Sequence, residues 1–141
     1  MTQITLDTSK GQLVPFVFGQ DAVAATQTNV QLPAVGPEEG GTVDGYTIPF
    51  PFEVVAISAT LTAAGSAGSL TVGASFDGTE DADTTLTITT GTDLYQTIKR
   101  GSAIGAAGDR LGCELTADGS WNGTTADLLV TIWCLIYLEG I

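Results

Sequence analysis

The sequence contains no histidine. Histidine is the commonest general base and the commonest metal ligand in proteins, so its absence removes the residue on which many catalytic sites depend. No Ser-His-Asp or Cys-His arrangement can be built, and no pair of carboxylates has the pattern of an acid/base pair. We therefore predict a protein that is not an enzyme and that uses no cofactor.

Basic residues are almost as scarce. Four Lys and Arg residues stand against 16 Asp and Glu residues, which gives a formal net charge of −12 and a pI near 4.1. Such a chain repels phosphates and anionic lipid headgroups, so we expect no nucleic-acid partner and no membrane partner. The largely apolar stretch at residues 127–138 is shorter than the roughly 20 residues that a membrane-spanning helix needs. The first residues, MTQITLDTSK, lack the pattern of a secretion signal, which predicts synthesis in a cytoplasm.

Cysteine is limited to Cys113 and Cys134, too few for a disulfide framework or a zinc site. Both fall at inward-facing positions of predicted strands. Buried free thiols are the first interpretation, because free cysteine behaves as a small hydrophobe. A disulfide between the two strands remains the alternative.

Helix-forming residues are rare, and no helical period is sustained anywhere in the chain. Instead, 18 glycines separate short segments in which side chains alternate between two faces. We predict an all-β protein, an antiparallel β-sandwich of about eight or nine short strands. A jelly-roll-like arrangement is favoured over an immunoglobulin-like one, because the chain is longer and lacks the Cys-Trp-Cys spacing. Residues 1–12 are predicted to form an N-terminal arm and residues 13–141 a single domain.

Two local predictions follow from individual residues. Pro15 removes a backbone donor from the first strand, so that strand should lie at a sheet edge or contain a bulge. Residues 53–62 and 70–76 both alternate cleanly and flank a glycine-rich turn, which is typical of a β-hairpin.

The most distinctive stretch is DLLVTIWCLIYL, residues 127–138. Successive side chains of a strand point to opposite faces, and here both faces are largely apolar. The even-numbered positions suit the sandwich core. On the other face, Leu129, Trp133, Leu135 and Tyr137 need a cover from outside the domain, which marks them as a predicted partner interface. Ile4 and Leu6, the apolar residues of the arm, complete that prediction.

Two further features invite a ligand hypothesis. Asp77, Glu80, Asp81 and Asp83 form the densest acidic cluster and are a weak candidate for a calcium loop, although the EF-hand spacing is absent and a solvated turn is the simpler interpretation. Trp121 lies in a loop, where it could stack on a sugar ring or close the open end of the sandwich.

The region from residue 52 to residue 141 resembles the small jelly-roll proteins of tailed-bacteriophage virions. The segments that carry the resemblance are EVVAISATLTAAGSAGSLTVGASFDG, AAGDRLGCELTADGSWNGTTADLLVTI and YLEG. Members of that group serve as capsid decoration (cement) proteins, head fibres or tail-fibre parts, commonly as trimers. The resemblance implies a structural protein of the virion surface, made in a bacterial host cytoplasm.

The leading hypothesis is a homotrimeric decoration protein whose partner is the major capsid protein of a phage head. Its mechanism is the burial of an interface, which stabilises the bound shell by mass action. The competing hypothesis is a receptor- or carbohydrate-binding fibre domain that uses Trp121 and Tyr95.

Overall fold

A computed structural model describes residues 11–34 and 43–138. Within these ranges the chain forms eleven β-strands and one short 3-10 helix, Ala82–Thr84, and no α-helix. The strands are β1 (Gln12–Gln20), β2 (Gln27–Gln31), β3 (Tyr46–Thr47), β4 (Phe52–Leu61), β5 (Leu70–Phe76), β6 (Thr79–Glu80), β7 (Leu86–Ile88), β8 (Asp93–Thr97), β9 (Ile104–Gly105), β10 (Arg110–Ala117) and β11 (Leu128–Ile136). The described part of the chain contains no helix that is long and apolar enough to cross a membrane.

The strands form two antiparallel sheets, each four strands wide. The first sheet has the order β1-β11-β4-β8, and the short β9 extends the β8 edge of β4. The second has the order β2-β10-β5-β7, with the short β3 and β6 beside β10 and β5. Followed along the chain, the eight longer strands visit the sheets in the jelly-roll sequence: first, second, first, second, second, first, second, first. The predicted jelly-roll-like sandwich is confirmed.

The core lies between the two sheets and is continuous. The even-numbered residues of β11, from Leu128 to Ile136, are all buried in it, as the alternation in the sequence predicted. Cys134 in β11 and Cys113 in β10 both point into this core and are free thiols, so the predicted buried thiols are present and the alternative disulfide is not formed. Burial raises the pKa of the Cys134 thiol to about 12.

The predicted hairpin between residues 53–62 and 70–76 is wrong. β4 belongs to the first sheet and β5 to the second, so the glycine-rich loop between them crosses from one sheet to the other. Strands that face each other across a core alternate in the same way as strands that pair, and the pattern does not distinguish the two. In this loop Gly65 and Gly68 pack closely against Trp121.

The predicted edge position of the Pro15 strand is confirmed. Among the described strands, β1 pairs along its length with β11 alone, and Pro15 lies opposite Trp133. On its other side, an isolated bridge joins Phe18 to Ala34. The Gly19 N–H donates to the Pro33 carbonyl at 3.1 Å, so odd-numbered residues of β1 direct their amide groups away from β11. The missing donor of Pro15 therefore costs the sheet no ladder hydrogen bond.

Candidate partner-binding face

The first sheet exposes an apolar surface on the side away from the core, which we call the outer face. Its strands bring together residues that are distant in sequence: Leu13 lies opposite Leu135, and Trp133 lies opposite Ala56. The outer face consists of Leu13, Pro15 and Val17 of β1, Leu129, Thr131, Trp133 and Leu135 of β11, Glu53, Ala56, Ser58 and Thr60 of β4, Asp93, Tyr95 and Thr97 of β8, and Ile104 of β9.

Most of the large hydrophobic side chains that are exposed in the described residues belong to this face. Leu13 is 59% exposed, Tyr95 79%, Ile104 64% and Leu129 44%, whereas Val43, at 68%, lies elsewhere. Single exposed hydrophobic residues are ordinary, but four on one sheet face form a patch of the kind that marks an interaction site.

The centre of the outer face is held in place by its own contacts. Trp133 is half-buried, and its indole Nε1–H donates to the Ser58 hydroxyl at 3.3 Å across the strand pair. β4 carries a bulge beside it, because Trp133 pairs with Ala56 while the next residue, Cys134, pairs with Val54. The bulge lets β4 present Glu53 on the same face as Ala56. The indole is thus fixed in orientation while part of its ring remains accessible.

One end of the outer face carries a compact polar network around Glu53, which is only 4% exposed. Glu53 Oε1 accepts from Arg100 Nε at 3.0 Å and from the Gly101 amide at 2.6 Å. Glu53 Oε2 accepts from the Tyr137 hydroxyl at 2.6 Å, and Arg100 Nη2 donates to the same hydroxyl at 2.9 Å. Burial raises the pKa of Glu53, but the hydrogen bonds from Tyr137, Arg100 and Gly101 outweigh it and hold the pKa below its ordinary value. The carboxylate is therefore ionised and paired, and it leaves little free negative charge on this face.

The outer side of the second sheet is different in kind. There Gln31 Nε2 donates to Glu114 Oε2 at 3.0 Å, and the Ser75 hydroxyl donates to Gln31 Oε1 at 2.8 Å. Neighbouring positions are threonine or glycine, as at Thr71 and Gly73. The outer side of the second sheet is thus polar, whereas the outer face of the first sheet exposes several large apolar side chains among its polar ones.

The structure does not assemble the predicted calcium loop. Asp77 Oδ1 accepts from the Arg110 amide at 2.9 Å, and Asp81 Oδ1 accepts from the Asp83 amide at 2.9 Å at the start of the 3-10 helix. Glu80 lies over Gly73 instead, where burial and the nearby Glu114 raise its pKa. In the part of the chain that is described, no group of three or more His, Cys, Asp or Glu side chains could hold a metal ion.

Trp121 closes one end of the sandwich. Its side chain is 3% exposed, and its Nε1–H donates to the Val23 carbonyl at 3.1 Å. Gly65 and Gly123 leave room for the ring, since a Cβ at either would lie 2.6 Å or less from it. In this arrangement the indole has no free face for a sugar ring, and Tyr95 alone of the two proposed sugar-binding aromatics is exposed.

Some of the remaining predicted site residues lie on the outer face, and others lie outside the described part of the chain. Leu129, Trp133 and Leu135 lie together on the outer face, and Tyr137 lies beside them in the Glu53 network. Ile4 and Leu6 fall outside the described residues. Sequence reasoning did not assign β1, Tyr95 or Ile104 to this face, and it named Tyr95 only as a sugar-binding candidate. A usable signal was present in LVPFVF, residues 13–18, which is apolar on both faces like residues 127–138.

Comparisons with known proteins give little guidance. No protein-family model matches this chain, and no curated protein matches it. Among solved structures, a chain of the cyanophage Pam1 capsid asymmetric unit is similar, with a TM-score of 0.37 and 9% sequence identity, over 96% of this chain and 93% of that chain. A likeness this distant carries no argument about function.

Proposed function

We propose that this chain is a non-enzymatic structural protein of a phage virion, a decoration protein that binds the assembled head through the outer face of its first sheet. The proposal includes a homotrimer gathered at a junction of capsid subunits, with the major capsid protein as partner. The sequence resemblance to small virion jelly-roll proteins supports the virion setting. The observation that carries the proposal is the apolar outer face.

The charge distribution supports the capsid, and not a second copy of this chain, as the partner at the outer face. The chain has a net charge of −12, so identical copies repel each other at long range. The outer face itself is nearly uncharged, because Glu53 is paired and Asp93 lies at its β8 edge. At the Glu53 end the exposed Arg100 balances the charge of the Glu53 carboxylate. A surface of this kind fits a partner that is uncharged at the point of contact.

The mechanism needs only buried area. A stable protein–protein interface removes about 1,600 Å² of total surface from water, with an apolar centre and a polar rim. Trp133, Leu135 and Leu129 form such a centre, and the Glu53 network and Asp93 form part of a rim. Because the protein would bind the assembled shell and not free subunits, its binding shifts the equilibrium toward the assembled shell.

The test is co-sedimentation with phage heads that lack this protein, using Leu129→Asp and a matched control, Thr87→Asp. Both residues are exposed in strands, but Leu129 lies on the outer face and Thr87 on the opposite side of the sandwich. A carboxylate buried at an interface without a partner costs at least about 1.4 kcal/mol, so Leu129→Asp should weaken binding tenfold or more while Thr87→Asp binds normally.

Equal binding by both variants and the parent chain would overturn the role of the outer face. Native mass spectrometry of the same samples tests the alternative that a second copy of this chain occupies the outer face. If Leu129→Asp changes the oligomer to a monomer yet still binds heads, the face joins copies of this chain to each other and the assignment to the capsid is wrong.

A further inference from the structure

Asn122 and Gly123 form the pair of neighbours that deamidates most readily without an enzyme. The Gly123 nitrogen can attack Asn122 Cγ because glycine has no side chain to hinder the approach. The sequence contains one other asparagine, Asn29, and the residue after it is Val30, whose branched side chain hinders the same attack. Deamidation of asparagine is therefore concentrated at one place in this chain.

The folded protein ties the Asn122 side chain to the loop that crosses from β4 to β5, residues 62–69. Asn122 Oδ1 accepts from the Ser66 amide at 2.9 Å and from the Ala67 amide at 3.1 Å. Asn122 Nδ2 donates to the Ser66 hydroxyl at 2.8 Å. The Asn122 amide also donates to the Ala67 carbonyl at 3.3 Å. Both ends of the carboxamide are thus held by a segment that is distant in sequence.

Gly123 is held by a different set of contacts. It is buried against the indole of Trp121, and a Cβ at this position would lie 2.4 Å from the ring. The Gly123 carbonyl accepts from the Ala126 amide at 3.0 Å. The backbone at Gly123 therefore has little room to move toward the indole, although the neighbouring Asn122 is exposed to water.

Deamidation at this pair has two steps and needs water as its only reactant. In the first step the Gly123 nitrogen bonds to Asn122 Cγ, the Cγ–Nδ2 bond breaks, and the leaving group takes up the Gly123 amide proton and departs as ammonia. In the second step water opens the resulting succinimide ring at either carbonyl. One opening gives aspartate. The other gives isoaspartate, in which the main chain is longer by one methylene group.

We propose that Asn122 is a deamidation site that the fold holds closed and that detachment of the loop 62–69 releases. Ring closure brings Cγ onto the Gly123 nitrogen, so it turns the carboxamide away from Ser66 and Ala67. The hydrogen bonds to those two residues must break before the reaction begins. In the folded protein the rate therefore follows the small population in which the loop is detached. This inference does not depend on the proposed capsid role.

The isoaspartate product prevents the loop from closing again. Its added methylene group displaces Gly123 from its close contact with Trp121, the residue that closes this end of the sandwich. The aspartate product keeps the normal main chain, and its carboxylate still accepts from the Ser66 and Ala67 amides. The longer backbone, and not the added charge, should therefore destabilise the protein.

The first test measures deamidation of the parent chain in buffer and in guanidinium chloride at the same mildly alkaline pH, by mass spectrometry of the peptides that contain Asn122 and Asn29. We expect Asn122 to react at least about tenfold faster in guanidinium chloride, because the detached population is a small part of the folded ensemble. Ser66→Ala, which removes the acceptor of Asn122 Nδ2, should react faster than the parent in buffer and equally fast in guanidinium chloride.

Three outcomes of this test would overturn the inference. Equal rates for the parent chain in buffer and in guanidinium chloride would show that the fold does not protect Asn122. A rate for Ser66→Ala in buffer equal to that of the parent would show that the contact with the loop is not what protects it. A rate at Asn122 no higher than that at Asn29 in guanidinium chloride would show that the site itself is not reactive.

The second test separates backbone length from charge. Chains deamidated in guanidinium chloride are refolded, and ion exchange separates them from the fraction that kept Asn122, which controls for the treatment. Freshly prepared Asn122→Asp carries the same added charge on a normal main chain. We expect the isoaspartate form to have a Tm lower than both by about 4 °C or more. An isoaspartate form as stable as Asn122→Asp would refute the proposed effect of the longer backbone.

Discussion

Trp121→Ala should be among the most destabilising single substitutions in this protein. The indole is 3% exposed and touches the loop between the two sheets, so its removal leaves a cavity that glycines at positions 65 and 123 cannot fill. Buried Trp→Ala substitutions cost about 3–5 kcal/mol. The Val23 carbonyl also loses the donor that lies 3.1 Å away, which adds about 1 kcal/mol or more.

The expected total is about 4–6 kcal/mol, a large share of the 5–15 kcal/mol by which most domains are stable. For a chain of this size the Tm should fall by about 10–20 °C, measured by far-UV circular dichroism or calorimetry. Trp121→Phe, which keeps most of the ring and loses only the donor, should cost much less. If Trp121→Ala stayed within 3 °C of the parent chain, the indole would not close the sandwich, and a ligand-binding role for it would regain support.

Two further predictions concern the first sheet. The pKa of Glu53 is lowered, so its ionised form stabilises the fold above the ordinary pKa of 4.5. At pH 7 the free energy of unfolding in urea should be larger for the parent chain than for Glu53→Gln. That difference should vanish as the pH falls through the pKa of Glu53 in the folded protein. A difference that grew on acidification would contradict this sign. Gly105→Ala would place a Cβ 2.1 Å from the Phe52 ring, so we expect the free energy of unfolding to fall by about 1–3 kcal/mol. The control is Gly119→Ala, which should be nearly neutral in the same assay because its Cβ would meet its nearest neighbour at 3.6 Å.

Much of the fold could be predicted from the sequence because the signals were local. Alternation in residues 128–136 gave the buried side of β11 correctly, and the missing donor of Pro15 placed β1 at an edge. Both properties depend on a single strand and its own backbone. The pairing of β4 and β5 could not be predicted in this way, since the partner of a strand depends on contacts far away in sequence, here between the 62–69 loop and Trp121.

In the candidate site, too, features of a single strand could be predicted, whereas those that depend on distant contacts could not. Leu129, Trp133 and Leu135 were found because one strand carried an unusual pattern on both faces. Tyr95 and Ile104 were not assigned to the outer face because β8 and β9 are short and give no pattern alone. They join that face through pairing with β4. The Glu53 network was also missed, since its three side chains are 37 to 84 residues apart.

The central claim is that the outer face meets the phage head, and hydroxyl-radical footprinting of free and head-bound protein tests it directly. Tyr95 and Leu129 report on the face, and Val43, also exposed but elsewhere, serves as the internal reference. We expect head binding to protect Tyr95 and Leu129 strongly while Val43 keeps its reactivity. Protection of Val43 with Tyr95 and Leu129 unchanged would contradict the claim and move the contact to another surface.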